Sequence, residues 1–111
     1  MDTRSLLLLI AAIGSEIIAT SALKASEGFS RPLPTVLVIV GYGVALYLLS
    51  LAIKTIDIGA AYAIWSGVGT VGIAIVGALV FRQQLTPGAI VGMALIVVGV
   101  VVLNLFGEAH V

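Results

Sequence analysis

The sequence predicts an all-α membrane protein of four transmembrane helices, and three observations carry that prediction. Of 111 residues, 61% are hydrophobic and 9% are charged, against about 25% charged in an ordinary soluble domain. A soluble chain this short buries only about 60–70% of the surface its unfolded form exposes. It therefore needs a polar skin, which five basic and five acidic side chains cannot make. Finally, the charges fall at intervals that leave four apolar runs, each close to the ~20 residues that cross a bilayer as a helix.

The first run goes from Ser5 to about Leu23 and stops at Lys24. The second goes from about Leu33 to Ile53, between Arg31 and Lys54. The third goes from about Ile58 to Phe81, between Asp57 and Arg82. The fourth goes from Pro87 to about Phe106. Pro87 suits a first helical turn, where its missing N–H costs nothing. The longest connector, Ser26–Pro34, holds the turn formers Gly28, Pro32 and Pro34. Residues 1–111 are thus expected to form a single four-helix domain. A β-barrel would alternate apolar and polar residues, whereas Ala89–Leu103 is apolar all round. A cleaved signal peptide needs an uninterrupted apolar region, and Glu16 interrupts this one.

Several function classes drop out. The formal net charge is zero, and a nucleic-acid surface needs a basic excess. There is no cysteine, and the one histidine, His110, stands beside the C-terminus. No metal-ligand spacing, nucleotide loop or nucleophile–base pair is present, so neither an enzyme nor a cofactor is expected. Transport, if this chain performs it, draws on an ion gradient.

Glu16 is the one charged residue deep within a span. A charge at mid-bilayer costs about 2.5–3.5 kcal/mol on insertion scales, and such residues are functional candidates by default. Low dielectric disfavours the charged form of an acid, so a proton or a cation is what this group is expected to hold. The alternative is a permanently neutral carboxyl bonded across helices. Ala12, Ala19 and Thr20 lie on its face and leave space beside it. Tyr42, Tyr62 and Trp65 sit well inside their spans rather than at the interfaces where such residues concentrate. Aromatic faces near a carboxylate suit a delocalised or quaternary cation, and helix packing is the other reading.

Four helices are too few to enclose a large polar pathway, and a two-fold dimer would supply eight. Close helix association in lipid relies on small residues, and the last span offers Gly92 and Gly99 two turns apart on one face. The pair Gly67 and Gly69 could bend the third span. With four spans, Arg4 and Lys54 share one side of the membrane, while Lys24, Arg31 and Arg82 share the other. Orientation follows the Lys/Arg bias, and here it is almost absent.

Two strings carry a resemblance. Ser15-Glu16-Ile17-Ile18-Ala19-Thr20-Ser21, followed by Lys24 and Glu27-Gly28-Phe29, resembles the first helix of the small multidrug resistance family. Ala61-Tyr62-Ala63-Ile64-Trp65-Ser66-Gly67-Val68-Gly69 resembles its third. The likeness covers nearly the whole chain. It implies a proton-coupled exporter in the bacterial inner membrane, acting as an antiparallel homodimer of dual-topology subunits. It implies that both copies of Glu16 bind protons and cationic drug in competition. It places Tyr42, Tyr62, Trp65 and Ser66 at the drug site, the helix-three bend at Gly67 and Gly69, and the dimer contact at Gly92 and Gly99. Within the family, Ala19 and Trp65-Ser66-Gly67 look like the quaternary-ammonium branch, because guanidinium exporters typically have Trp and Trp-Thr-Gly there. Leu6 and Leu46 stand where that branch often has Tyr and Phe, which bears on the range of large flat dyes. The alternatives are an exporter of a small physiological cation, such as guanidinium or a polyamine, and one subunit of a heterodimeric exporter.

Overall fold

Each apolar run becomes one helix, because in lipid every backbone polar group has to find its partner within the chain. The computed structural model describes residues 3–106, and His110 lies outside them. The helices are α1, Thr3–Ala25; α2, Pro32–Ala52; α3, Ile58–Leu79; and α4, Pro87–Phe106. Among the described residues there is no strand. The first three helices are long and apolar enough to cross a membrane, and α4 is an apolar helix of 20 residues.

Local chemistry sets the ends. Between α1 and α2, Ser26 is fully buried and closes the turn. Its hydroxyl donates to the Leu23 carbonyl at 2.7 Å and accepts from Phe29 N–H at 3.1 Å. Its own carbonyl accepts from Ser30 and Arg31 N–H. The chain reverses through three left-handed residues, Glu27, Gly28 and Phe29, of which only the glycine takes that conformation without steric cost. At the start of α4, Thr86 caps the helix. Its carbonyl accepts from Ile90 N–H at 3.0 Å and its hydroxyl accepts from Ala89 N–H at 3.1 Å. Pro87 follows as the first helical residue, as expected.

The third helix ends earlier than its apolar run. The run extends to Phe81, but α3 stops at Leu79. Arg82 takes a left-handed φ of 56°, and Gln83 N–H closes a wide turn on the Gly77 carbonyl at 2.9 Å. Hydropathy could not show this, because the turn uses apolar residues as well as polar ones. Phe81 is thereby placed beyond the helix.

Helix α1 is central, packing against α2 on one side and α3 on the other, while α4 packs against α3. The α1–α2 crossing is made of small residues. A Cβ on Gly41 would lie 2.8 Å from Ala19 Cβ and 3.3 Å from the Ser15 carbonyl oxygen. The Ser15 hydroxyl donates to the Gly41 carbonyl across the crossing at 2.7 Å. The core gathers at one end of the bundle. Leu9, Ile13, Ala52, Ile56, Ala61 and Ile64 form it, and a hydrogen bond between the Ser5 and Thr55 hydroxyls ties α1 to the α2–α3 turn there. Glu16 sits one turn beyond that core.

Candidate functional site

Helices α1 and α3 meet with a carboxylate on one and aromatics on the other. A cavity of about 330 Å³ lies between them, lined by Glu16, Tyr62, Trp65, Ser66, Gly69, Thr70 and Ile73. Five residues singled out in the sequence, Glu16, Tyr62, Trp65, Ser66 and Gly69, therefore share one space. Tyr62 and Trp65 are three apart on α3, and their rings meet edge-to-face with centroids 6.4 Å apart and planes at 86°. Trp65 is half-buried against the core, whereas Tyr62 is 65% exposed and forms a free wall. Gly69 stands opposite the carboxylate: a Cβ there would lie 3.5 Å from Glu16 Oε2 and 3.9 Å from Trp65 Cδ1. Its missing side chain is part of what keeps the cavity open.

Tyr42 reaches the site through another residue. Thr20 Oγ1 donates to Glu16 Oε1 at 2.8 Å and lies 2.6 Å from the Tyr42 hydroxyl. Since Thr20 has a single proton and gives it to Glu16, the Tyr42 O–H is the donor to Thr20. This ties α1 and α2 at the carboxylate and orients it toward α3. Sequence reading valued Thr20 for its small size and missed it as a partner. The four-residue spacing from Glu16 was the available signal, since such residues are neighbours on a helix. The Tyr42 contact had no such signal, because it depends on how α2 crosses α1.

The glycines divide into two kinds. A Cβ on Gly67 would fall 2.6 Å from Val100 Cγ2 and 3.1 Å from Ile96 Cγ2, so Gly67 seats α4 against α3. Helix α3 runs through Gly67 and Gly69 as one continuous helix. Gly92 and Gly99 differ: nothing lies within 4 Å of a Cβ added at either. Gly99 borders an open cavity with Ala63, Ser66, Gly67 and Thr70 of α3, and Leu95, Val98 and Val102 nearby on α4 are uncovered. Among the described residues, no three His, Asp or Glu side chains come together as a metal site would require.

Comparison with known proteins settles the kinship. The sequence model described as Small Multidrug Resistance protein matches residues 4–96. The chain belongs to the small multidrug resistance family. Among its relatives, the quaternary ammonium compound-resistance protein QacE of Escherichia coli is 54% identical over 103 residues, which cover 93% of this chain and 94% of that one. A putative ethidium bromide resistance protein of Escherichia coli is 52% identical over 91 residues, covering 82% and 79%. The multidrug resistance protein EbrA of Bacillus licheniformis is 47% identical over 97 residues, covering 87% and 92%. This small multidrug resistance chain is a multi-pass membrane protein, and the matched span includes Glu16, Tyr42, Tyr62, Trp65 and Ser66.

Proposed function

We propose that this chain exports quaternary-ammonium and other lipophilic organic cations in exchange for protons, both ligands competing for Glu16. The observation that carries this reading is the Glu16 carboxylate facing the Tyr62 and Trp65 rings across one cavity. A carboxylate supplies charge, and aromatic faces attract a cation whose charge is spread over a large surface. The cavity lies at the small end of the ~300–1,000 Å³ typical of ligand sites. The names of the relatives point to the same class of cargo. Coupling needs one site whose proton leaves before the cation binds, because each ligand then weakens the other by the same factor. No enzymatic step and no cofactor enter this cycle.

The working unit in this reading is an antiparallel homodimer in the bacterial cytoplasmic membrane. A single copy leaves Tyr62 uncovered and the cavity open at its side, and a second copy would supply the opposing wall and a second Glu16. Gly92 and Gly99 are the proposed contact on α4. Export of guanidinium or a polyamine is less well supported. Ala19, where guanidinium exporters typically have Trp, is fully buried against Gly41, so the site has no extra ring at that point.

The test is ethidium binding and proton-driven ethidium uptake by this chain alone in liposomes, across a pH series. Binding should strengthen as pH rises and Glu16 gives up its proton, and binding should release protons. Glu16→Gln keeps size and polarity but cannot ionise, so coupled uptake should vanish while the protein still inserts. Glu16→Asp should retain weaker uptake with a shifted pH profile. Proton-driven pumping by the Gln variant would overturn the assignment. No uptake by the wild-type chain alone, with uptake restored by a second, non-identical subunit, would favour the heterodimeric alternative.

A further inference from the structure

A second cavity continues from the first along the α1–α3 groove. Thr20, Ser21, Lys24, Ile73, Gly77, Phe81 and Gln83 line it, and Ile73 borders both cavities. The pattern on each helix explains the continuity. Glu16, Thr20 and Lys24 follow one another at four-residue steps along α1, spanning roughly 12 Å at ~1.5 Å per residue. Gly69, Ile73, Gly77 and Phe81 do the same along α3 and the turn after it. Glu16 faces Gly69 at one end, and the Lys24 ammonium sits 5.6 Å from the centre of the Phe81 ring at the other. Gly77 keeps the middle open to the Gln83 side chain, whose Oε1 lies 2.7 Å from where a Cβ would stand.

The opposite end is shut. Beyond Glu16 toward the N-terminus of α1, the groove is filled by the core of Leu9, Ile13, Ile56, Ala61 and Ile64 and tied by the Ser5–Thr55 bond. Within one protomer, a polar route along the α1–α3 groove therefore runs from Glu16 past Thr20 and Ser21 and ends at Lys24.

We propose that Lys24, seated over Phe81, is a charged mouth residue that sets which ions pass between water and the Glu16 groove. This rests on Glu16 being the cation site. The ammonium raises a barrier to organic cations through its like charge, while water and anions pass it freely. The Phe81 ring holds the ammonium at the opening by cation–π attraction, and its four-residue step from Gly77 keeps the ring on the groove. Neutralising Lys24 should speed cation entry, since fixed charge at a narrow opening changes encounter rates by about tenfold or more.

The absence of cysteine allows a test that does not need Glu16. Ser21→Cys places one thiol in the second cavity. Its reaction rates with a trimethylammonium-ethyl and a sulfonatoethyl methanethiosulfonate are measured on the full-length protein in liposomes, each normalised to the rate at Ser30→Cys in the exposed turn. The cationic reagent should be the slower. Lys24→Met, which keeps the length of the stem, should raise the cationic rate about tenfold and leave the anionic rate unchanged or lower. Lys24→Arg should keep the wild-type ratio, and Phe81→Ala should move the ratio partway toward Lys24→Met. An unlabelled Ser21→Cys, or a cationic-to-anionic ratio unaltered by Lys24→Met, would overturn the proposal. So would an equal rise for both reagents, which would make Lys24 a steric plug. With Glu16→Gln added, the lost carboxylate lowers the cationic rate, but the rise on Lys24→Met should persist. Pumping by Glu16→Gln would thus sink the site assignment while these ratios still decide the mouth.

Discussion

The Thr20 hydroxyl stands between a carboxylate on α1 and a phenol on α2, so it divides the electrostatic work of the site. Removing it in Thr20→Val keeps the shape, since the two side chains are nearly isosteric, but leaves Glu16 without that donor. Ethidium affinity should fall by about 0.5–1.5 kcal/mol, the net worth of one hydrogen bond. Tyr42→Phe should weaken binding by a smaller amount, because the phenol acts on Glu16 through Thr20. The double variant should lose less than the sum, as residues in one network do not act additively. Fluorescence titration would read all three, and strict additivity would mean that Tyr42 meets the cation directly. Trp65→Ala should cost about 0.5–2 kcal/mol for an aromatic cation through lost cation–π attraction, with a smaller loss for a compact cation. Equal losses for both would make Trp65 a packing residue.

Helix-level behaviour turns on which glycine faces what. Gly67 is closed in by Val100 and Ile96 of the same chain, so Gly67→Leu overpacks the α3–α4 seam. It should destabilise the protomer by about 1–3 kcal/mol, seen as a lower midpoint in detergent unfolding. Gly92→Leu and Gly99→Leu meet open space within the chain, so protomer stability should hold while the dimer separates, because close backbone approach is lost. Crosslinking alongside unfolding tells the two outcomes apart. An intact dimer with both positions filled would place the interface elsewhere. At the start of α4, Thr86→Ala should cost about 1 kcal/mol, the usual price of an N-cap.

Taken as a body, one chain is a slab with principal extents of 46 × 35 × 18 Å. Its thinnest direction holds about two layers of helix, whose axes pack roughly 8–10 Å apart, and the Glu16 cavity is open at its side. The proposed second copy is the remedy, and near-balanced Lys and Arg permit it to insert the other way up. Arg4 and Lys54 oppose Lys24, Arg31 and Arg82. Reporters on the C-terminus should therefore find it on both sides of the membrane in comparable amounts. A single orientation would remove the antiparallel arrangement. Adding Lys beside Arg4 should impose one orientation and impair uptake when that variant is the only copy present.

The four helices were legible in the order of the amino acids, because a bilayer accepts few backbone arrangements and long apolar runs leave one of them. Glu16 was legible for the same reason, as a charge with no cheap place in lipid. Tyr62 and Trp65 could be paired by their spacing on one helix. What required the tertiary structure depends on contacts between helices, which hydropathy does not encode. Tyr42 meets Thr20 because Ser15, Ala19 and Gly41 let α2 cross α1 closely. Gly67 seats α4, while Gly92 and Gly99 meet open space within the chain, although all three are glycines in apolar helices. Phe81 reaches Lys24 because α3 lies along α1 with Gly77 and Phe81 on the same groove as Lys24. Local composition selected the solvent and the elements, and side-chain volume at the crossings decided which groups share a cavity.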